Sequence, residues 1–582
     1  DDKLTHLEGH EDEALKVFAN KKIKELEIAI NEEIKLLSIS ENEKKEIIKL
    51  AKGALERSSN LESIDIPVIR LVRLSKSKQK SDRLFVAKIL RKIINDQNLF
   101  LLIELVRDID KDVRLAALVT ARMVQRPELW PFLIEQLDHP VYGHAAASAI
   151  ISAKNKVIDV LDATFYKSGQ SPQIMMSIIH ILGRIGGERA IDALWDKINY
   201  PDKNIVLQTI LSFSMNGYMV PTQHSGIIVN LLKMEAGNAF WNLTAISELG
   251  DHPGIGPLKK ALEDEVKINN ERIFIMLSLL YDNSSVELVK ENIETGSHEG
   301  ITFALELLDV FIDNELKEFL FPLFDDISIN EKINQLVANY PRDSFSEEEI
   351  LDQVINRNYN QINRWTKACA LYAIGRREKV PISDTLKAQL FNPDYLLRET
   401  AGWTIYKNDR TVYHQVTQRI EPEEKENLDK ILYTAYFFSK TREQNPFTIE
   451  KGFFLQSIEL FKGMPGLVLA NFADKIKVFK GRRGEKPFFK GQYLEPGLYM
   501  LAAGTIVFAD EKEIKERIDV PGLIRKFDFL DYIQLDHDVI FEERGMIFMI
   551  DKTTLLKNLS GFPEYMQLFI DFINNEKQLE LT

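Results

Sequence analysis

The spacing of apolar residues predicts helices over most of the chain, from about Glu11 to about Lys440. Apolar residues recur there three and four positions apart, which is the period of one face of an α-helix. Two such stripes are Ile174, Ile178, Ile181, Leu182 and Ile185, and Ile301, Ala304, Leu305, Leu308 and Phe311. A short helix with one apolar face needs a neighbour to cover it. Prolines fall between the stripes, so the pattern predicts many short helices that pack on one another.

The predicted helices also repeat, at an interval of roughly 30 residues. Asp112–Ala117 begins with an acidic residue, continues through a Val-Arg pair and ends in two alanines. Similar segments stand at Asp394–Ala401 and, about one period earlier, at Asn363–Ala368. Leu182–Ala190 is echoed in the same way by Ile374–Glu378. Small residues let paired helices approach closely and glycine ends a helix, so the sequence predicts a stack of helical hairpins.

These segments resemble the HEAT-repeat family, in particular the short bacterial repeats also found in phycobilisome lyases. The shared features are the Asp or Asn turn, the Val-Arg or similar pair, the small alanines and the Leu-Gly-Arg-Ile-Gly link. The resemblance covers about Leu61 to Ile420, with weaker copies between Met219 and Pro341. It implies a right-handed α-solenoid over residues 61–445, with a concave face that binds a protein partner.

The N-terminal segment, residues 1–60, is rich in charge, as in Lys21–Glu27. Opposite charges at helical spacing indicate a helix with a solvated face. We expect this segment to form a helical cap that covers the apolar side of the first repeat. A coiled-coil contact, or a tether to a domain upstream of Asp1, is the alternative.

The pattern changes after Asn445-Pro446, and we place a domain boundary between Lys440 and Phe447. Lys475–Lys480 alternates with period two, and Leu498–Phe508 and Val539–Ile550 indicate further strands. Glycine turns are expected at Gly481, Gly484, Gly491, Gly497 and Gly504. A return to helix from Thr553 to Asn574 completes a predicted jelly roll with helical ends, over residues 446–582.

This C-terminal region resembles the cyclic-nucleotide-binding domain family, whose members include catabolite activator protein and protein kinase A regulatory subunits. The resemblance rests on Leu460–Pro465, Gly484-Glu485, Gly491, Tyr499–Leu501, Gly504, Phe548–Lys552 and the closing helix Leu555–Phe569, and it covers roughly Gln456 to Asn574. In fold class the chain is therefore predicted to be a multidomain α + β protein. An α-solenoid of HEAT-like helical hairpins would be followed by a C-terminal β-roll, or jelly roll, with flanking helices.

The part of the β-roll that would hold a nucleotide departs from the family pattern. In that family a Phe-Gly-Glu-Leu-Ala segment followed by Arg-Ala holds the cyclic phosphate and the ribose. The equivalent stretch, Val520–Leu530, contains no Gly-Glu pair, and no Arg-Ala follows it. Gly522, Arg525 and Arg544 are the candidate ligand-binding residues of this degenerate pocket. A roll that binds a protein partner or another anion is the favoured reading, and a cyclic-nucleotide receptor with a divergent pocket is the alternative.

Charge and cysteine content narrow the class of protein further. The 582 residues include 88 acidic and 74 basic side chains, for a net charge of −14, so a nucleic-acid partner is not expected. The single cysteine, Cys369, excludes an intramolecular disulfide and fits a cytoplasmic protein. No stretch is apolar enough to span a bilayer, so membrane attachment is expected only through a region upstream of Asp1.

One short segment is strongly basic although the chain as a whole is acidic. Between Lys475 and Lys490 stand seven basic residues against one acidic residue, Glu485. The basic residues are Lys475, Lys477, Lys480, Arg482, Arg483, Lys486 and Lys490. The segment is interpreted as a solvated hairpin, and a contact with an acidic partner or with anionic headgroups is the alternative. Its Gly481–Lys486 portion lacks the Ser/Thr and helix of a phosphate-binding loop, so we expect a turn there.

No set of residues with the spacing of a catalytic or metal site emerges, so we expect neither an enzyme nor a cofactor. Cys369 lies in an alanine-rich helix and is expected to be buried. A lyase acting on bound tetrapyrroles, by analogy with the HEAT-repeat lyases, ranks below the other readings because no catalytic residues can be named. The chain is therefore predicted to be a regulatory or scaffolding module. By resemblance it could be the cytoplasmic portion of a bacterial membrane protein related to the ATP/ADP translocases.

Overall fold

The computed structural model describes most of the chain from Pro67 onward. The described residues are 67–139, 141–215, 217–341, 344–377, 380–432, 446–510, 513–519, 521–524, 527, 529, 531–559, 565–567 and 569–571. The predicted cap, residues 1–60, and most of the predicted boundary near Lys440 lie outside these residues. Two compact units divide the chain, Asp1–Asn216 and Gly217–Thr582. The three predicted domain ranges stay predictions.

The described part of the first unit consists of helices. They are α1 (Val68–Ser75), α2 (Lys80–Ile93), α3 (Leu99–Leu105), α4 (Lys111–Val124), α5 (Trp130–Ile134), α6 (Gly143–Ser152), α7 (Ile158–Phe165), α8 (Pro172–Ile185), α9 (Glu188–Trp195) and α10 (Lys203–Ser214), with 3₁₀ turns at Pro127–Leu129 and Lys154–Val157. Helices α2, α4, α6, α8 and α10 pack side by side in one layer. The shorter helices α1, α3, α5, α7 and α9 connect them and pack against them. The predicted stack of helical hairpins is confirmed here, whereas membership of the HEAT family stays a prediction.

The second unit begins with two long helices, α11 (Thr222–Glu248) and α12 (Ile255–Leu280), which pack on each other. The following helices are α13 (Asn283–Glu294), α14 (His298–Phe311), α15 (Asn314–Phe324), α16 (Ile329–Leu336), α17 (Glu347–Asn356), α18 (Arg364–Arg376), α19 (Asp384–Ala388), α20 (Tyr395–Asn408), α21 (Arg410–Thr417) and α22 (Pro422–Leu432), with a 3₁₀ turn at Gln389–Phe391. Helix α12 packs on α18, and α18 packs on α20. Their apolar residues form one core that also includes Phe447 and Ala470, from the chain that leads into the roll.

The helices that flank the roll are α23 (Thr448–Ser457), α24 (Gly466–Ala473) and α25 (Lys552–Leu559), with a 3₁₀ turn at Glu459–Phe461. The strands are β1 (Lys477–Gly481), β2 (Tyr493–Leu494), β3 (Gly497–Ala503), β4 (Ile506–Asp510), β5 (Glu513–Ile518), β6 (Gly522–Leu523), β7 (Ile533–Gln534), β8 (Asp538–Phe541) and β9 (Gly545–Asp551). They form antiparallel sheets in the orders β1-β9-β3-β6, β5-β4-β8 and β2-β7. The predicted α + β fold class, with a C-terminal β-roll, is confirmed.

Both faces of strands β3 and β9 are buried, and this explains their nearly unbroken apolar sequences. Tyr499, Leu501 and Ile547 point into the roll. Their neighbours along the strands, including Met500 and Phe548, pack against the flanking helices. Successive side chains of a strand point to opposite faces, so each strand joins the two cores. No helix in the described ranges has both the length and the apolar character that crossing a bilayer requires.

Candidate functional site

Aromatic side chains pack the inside of the β-roll. Phe527 comes from the stretch that corresponds to the nucleotide-binding segment, and it is 6% exposed. Its ring centroid lies 4.9 Å from that of Tyr499, 5.7 Å from that of Phe488 and 5.8 Å from that of Phe508. These steeply inclined contacts are the favourable edge-to-face arrangement of aromatic rings. The stretch that would bind a phosphate therefore contributes an apolar side chain to the core.

The polar atom in this aromatic cluster is satisfied within the protein. The Tyr499 hydroxyl donates a hydrogen bond of 3.1 Å to the backbone carbonyl of Glu495. Burial, and then the negative charge of Glu495, raises the pKa of Tyr499 to about 12. The Ile524 amide donates to the Tyr499 carbonyl at 2.8 Å, which fixes the stretch against β3. The inside of the roll thus has the chemistry of a packed core.

The candidate ligand-binding residues are separated in the structure. Gly522 begins the short edge strand β6, where it pairs with Leu501. Arg544 is exposed in the turn between β8 and β9, and its backbone carbonyl lies against Gly504. Arg525 lies outside the described residues. Their assignment to a ligand pocket stays a prediction, and no contact between Gly522 and Arg544 supports it among the residues described.

Acidic partners from distant strands reach the predicted basic segment. Lys477 forms an ion pair of 2.6 Å with Glu495, Lys486 one of 2.6 Å with Asp538, and Lys490 one of 3.0 Å with Asp510. All seven basic residues are exposed, and exposed ion pairs add little stability. The pairs still lower the local positive charge below the value that the segment has in the sequence. The role of this surface in binding stays a prediction.

The glycine-containing part of the same segment forms a turn, as predicted. Gly484 has a φ of +85°, a backbone conformation that favours glycine. Its amide donates to the Phe541 carbonyl at 2.7 Å, which ties the turn to the end of β8.

Sequence reasoning missed a group of buried carboxylates in the second unit. The carboxylate of Glu399, in α20, accepts a hydrogen bond of 2.8 Å from the amide of Thr448, the first residue of α23. Asp264, in α12, accepts one of 3.3 Å from Gly466, the first residue of α24. Each carboxylate thereby satisfies an amide at the start of a helix that leads into the roll. Glu399 gave one sequence signal, since it follows Arg398 among the apolar residues of α20, whereas Asp264 gave none because Glu263 and Glu265 flank it.

Arg364 makes a further contact between the same groups of helices. It donates to Asn471 at 2.8 Å and pairs with Asp474, both near the end of α24, and with Asp394 at 3.3 Å. The carboxylates of α12 and α20 and the arginine of α18 thus contact both ends of the helical segment before β1. This network can position the roll, but it contains no nucleophile paired with a base.

Burial changes the acidity of several of these groups. It raises the pKa of Glu399 and of Glu450 to about 7 in each case, although hydrogen bonds from backbone amides oppose the shift. Burial likewise raises the pKa of Glu265 to about 7, against hydrogen bonds from the Asn363 amide and the Thr366 hydroxyl. These three carboxylates therefore titrate near neutral pH.

Cys369 is fully buried, as predicted, and burial raises the pKa of its thiol. A reactive cysteine needs access to solvent and a lowered pKa, so this thiol has the character of a packing residue. Within the described ranges, no group of three or more His, Cys, Asp or Glu side chains is arranged to hold a metal ion.

No protein-family model matches the sequence, and no curated protein matches it. Three solved structures are similar to part of the chain. The C-linker/CNBHD of zELK channels, crystallized in the presence of cAMP, is 16% identical with a TM-score of 0.19, over 28% of this chain and 74% of that chain. A cyclic-nucleotide-binding-like protein from Brucella abortus is 16% identical with a TM-score of 0.17, over 19% of this chain and 98% of that chain.

A cyclic-nucleotide-binding domain from Methylobacillus flagellatus is 12% identical with a TM-score of 0.19, over 23% of this chain and 83% of that chain. These similarities concern a cyclic-nucleotide-binding-like fold in the C-terminal region. Because all three TM-scores are low, the assignment of the β-roll rests on its strand order and its two-sided core.

Proposed function

We propose that this chain is a non-enzymatic interaction module, in which the helical repeats bind a protein partner and the β-roll has a structural or regulatory role. One observation carries the proposal for the roll. Phe527, from the stretch that by resemblance corresponds to the nucleotide-binding segment of the family, packs among Phe488, Tyr499 and Phe508. This stretch therefore contributes a buried apolar ring to the core of the roll, which favours a structural role over nucleotide binding.

Contacts at the repeat period support the proposal for the helices. The Thr120 hydroxyl donates to the Ala87 carbonyl 33 residues earlier, and Ser152 donates to the Arg122 carbonyl 30 residues earlier. In the second unit Thr404 donates to the Leu371 carbonyl across 33 residues. Stacked repeats of this kind expose one side of each repeat, and these sides join into a continuous surface that commonly binds other proteins.

Thermal unfolding of the whole chain with cyclic AMP and cyclic GMP tests the proposal for the roll. We expect no rise in Tm with either nucleotide. A receptor with ligand at about a hundred times its Kd would gain about 2.7 kcal/mol, which is easily detected. The Phe527→Ala variant provides the comparison, because it removes the buried ring that this stretch contributes to the inside of the roll.

Saturable stabilisation of the wild-type chain by a cyclic nucleotide would overturn this proposal and establish the alternative, a cyclic-nucleotide receptor with a divergent pocket. Binding only by the Phe527→Ala variant would support it. For the helices, we expect the whole chain to co-purify from its native cells with one protein in a fixed ratio. Isolation of the chain alone under gentle conditions would contradict partner binding.

We further propose that the chain acts at the cytoplasmic face of a membrane, next to a nucleotide-transporter-like domain. The resemblance to bacterial proteins that join HEAT repeats and such a roll to a transporter supports this part of the proposal. The nucleotide sequence upstream of the codon for Asp1 tests this directly. Several predicted membrane spans in the same reading frame would support it, and a start codon without spans would rule it out.

A further inference from the structure

In the first layer α2, α4 and α6 lie almost in register, and so do α8 and α10. The hydroxyl of Thr120, ten residues after the N-cap of α4, bonds to Ala87, eight residues after the N-cap of α2. Ser152, ten residues after the N-cap of α6, bonds to Arg122, twelve after that of α4. A shift of two residues along a helix is about 3 Å. A Cβ atom on Gly183, twelve residues after the N-cap of α8, would lie 2.7 Å from the Cβ of Ser212, ten after that of α10. Within each of these two groups of helices, residues at the same distance from their N-caps therefore lie side by side.

Three positions on each of four helices, the ninth, twelfth and thirteenth after the N-cap, form a stripe on α2 and α4 and on α8 and α10; α6, between these pairs, ends at Ser152 and reaches only the ninth position, Ile151. The twelfth and thirteenth positions lie three and four residues after the ninth, so all three share one face of each helix. In α2 and α4 they are Lys88, Arg91 and Lys92, and Val119, Arg122 and Met123; in α8 and α10 they are His180, Gly183 and Arg184, and Leu211, Ser214 and Met215. We call this stripe the layer face. Gly183 is buried, and the other residues are exposed or half-buried.

An electrostatic effect links α6 to α8, although it comes from the start of α6 and not from the three positions of the layer face. Burial, and then the charges of Arg184 and His144, lowers the pKa of His180. His144 lies in α6, whereas His180 and Arg184 lie in α8. The charge of His144 therefore acts on α8 across the boundary between these two helices.

The layer that carries this face is basic although the whole chain is acidic. Helices α2, α4, α6, α8 and α10 contain ten Lys and Arg residues and two Asp residues, both in first turns. Helices α1, α3, α5, α7 and α9 contain five acidic and three basic residues. The described residues offer no carboxylate partner to Lys88, Arg91, Lys92, Arg122 or Arg184. The layer face therefore has positive charge that the described part of the unit leaves unpaired.

Apolar side chains lie between the basic residues. Val119 and Met123 are 54% and 62% exposed, on α4, which packs between α6 and the helix α2 that carries Lys88. Methionine side chains adapt to the shape of a partner, and exposed apolar groups beside unpaired charge are typical of binding surfaces. From α2 to α8 the face spans three helix-to-helix steps of about 8–10 Å each, or about 24–30 Å.

We propose that the layer face binds an acidic amphipathic helix of a partner protein. This inference rests on the proposed function, because it names the partner chemistry of the helical repeats. A helix of about 16–20 residues spans the face at 1.5 Å per residue. Its carboxylates pair with the arginines and lysines of α2, α4 and α8, and its apolar side contacts Val119 and Met123.

A short acidic helix fits this face better than a nucleic acid or a bilayer. Extended polyanions would also meet the acidic remainder of a chain with a net charge of −14. The three positions of the layer face hold no Phe, Tyr or Trp in these four helices, whereas single-stranded nucleic acids stack on such rings and interfacial membrane proteins insert them. Screening over about 8 Å limits the interaction to the local charge, which is positive here.

Fluorescence anisotropy of the full chain with a labelled peptide of about 20 residues tests the proposal. The peptide has leucine along one helical face and glutamate along the other. The same measurement uses a peptide with lysine in place of glutamate, a scrambled glutamate peptide, and vesicles of phosphatidylcholine and phosphatidylserine in a two-to-one ratio. We expect only the amphipathic glutamate peptide to bind, with an affinity that falls as salt rises.

Two triple variants with equal charge change locate the site. K88E/R122E/R184E should weaken peptide binding at least about tenfold, because it replaces attraction by repulsion at three contacts. R70E/R73E/K167E, on exposed residues outside the layer, should change it less than about threefold. V119S/M123S should lose the preference for the amphipathic peptide over the scrambled one. Circular dichroism checks that each variant is folded.

Three results would each overturn the inference. They are an equal loss of affinity for the glutamate peptide in the two triple variants, binding of the lysine peptide, and binding of the vesicles by a chain that does not bind the glutamate peptide. So would the absence of peptide binding. A co-purified protein partner that still binds K88E/R122E/R184E would contradict the layer face but leave the proposed function intact. The two proposals can therefore fail separately.

Discussion

At the scale of single residues, the buried carboxylates of the second unit satisfy free helix amides, although burying a negative charge is unfavourable. The first amides of a helix need acceptors, and the starts of α23 and α24 lie where water cannot supply them. Glu399 and Asp264 supply acceptors from other helices. Burial makes the charged form of Glu399 unfavourable, and Glu450 beside it raises the cost of a second negative charge. Glu399, which orders the chain near the roll, therefore binds a proton near neutral pH.

This arrangement predicts that stability falls as pH rises from about 4.5 to about 7. Glu399 has a pKa of about 7 in the folded chain and 4.5 as its ordinary value, so the folded state binds more protons within this window. Stability must then decrease with rising pH, and level off above about 7. Glu399→Gln keeps an oxygen for the Thr448 amide but cannot ionise. We expect it to remove about 1–3 kcal/mol of this pH dependence, measured by urea unfolding between pH 5 and 8.

Glu349→Gln is the matched control for this prediction. Hydrogen bonds within the Ser346 capping box lower the pKa of Glu349, so its contribution is lost only as pH falls below its ordinary value of 4.5. The control should leave the slope between pH 5 and 8 unchanged. An identical slope in the wild-type chain and in Glu399→Gln would show that Glu399 does not titrate in this range.

At the scale of helices and strands, the repeat period was predictable but the alignment of one repeat was not. Asp394 and Asn363 cap α20 and α18, as their places in the predicted repeat suggest. In the first copy the cap is Asp110, and Asp112 lies in the first turn of α4. Two aspartates two positions apart give the same local pattern, and only the direction of the free helix amides distinguishes them.

Replacing each aspartate by alanine tests this alignment. Asp110 accepts hydrogen bonds from the amides of Asp112 at 2.9 Å and Val113 at 3.3 Å, so Asp110→Ala should cost about 1–2 kcal/mol. Asp112 forms an exposed ion pair with Lys80, so Asp112→Ala should cost less than about 0.5 kcal/mol. Thermal unfolding compares the two variants. A larger loss for Asp112→Ala would favour the alignment taken from the sequence pattern.

The β-roll shows where prediction from sequence stops. Its period-two strands and the turns at Gly484, Gly491 and Gly504 were predictable, because alternation and glycines with positive φ leave local marks. The turns predicted at Gly481 and Gly497 were wrong, since these glycines end β1 and begin β3. The role of Phe527 was not predictable, since a phenylalanine in a loop carries no sign of the three rings it will meet. The partners of Lys486 and Lys490 were equally hidden, because Asp538 and Asp510 are far away in sequence. Such contacts depend on tertiary structure alone.

At the scale of the second unit, one tryptophan joins the helical region to the helices that precede the roll. Trp365, in α18, is 2% exposed and packs edge-to-face on Phe453 of α23 at 5.4 Å. A Cβ atom on Gly452 would lie 2.6 Å from its ring, and one on Gly466 only 1.9 Å from its indole nitrogen. Only glycine fits at these two positions, so α23 and α24 both lie directly against the ring. The indole belongs to the core of α12, α18 and α20 and contacts α23 and α24, whose residues Phe454 and Leu469 belong to the core beside the β-roll.

Because Trp365 contacts both α23 and α24, we expect its removal to make unfolding of the second unit less cooperative. Trp365→Ala should cost about 3–5 kcal/mol, because it leaves a cavity against both glycines. Native-state hydrogen exchange should show equal opening free energies for amides of α18 and of β9 in the wild-type chain, and unequal ones in the variant, with β9 the better protected. The strands keep their own core around Tyr499 and Ile547, which the substitution does not touch.

The control is Phe240→Ala, in α11 against Tyr340, which removes a buried ring elsewhere in the unit. It should leave the opening free energies of the α18 and β9 amides equal. Equal exchange in α18 and β9 of Trp365→Ala would mean that contacts other than the indole hold the two cores together.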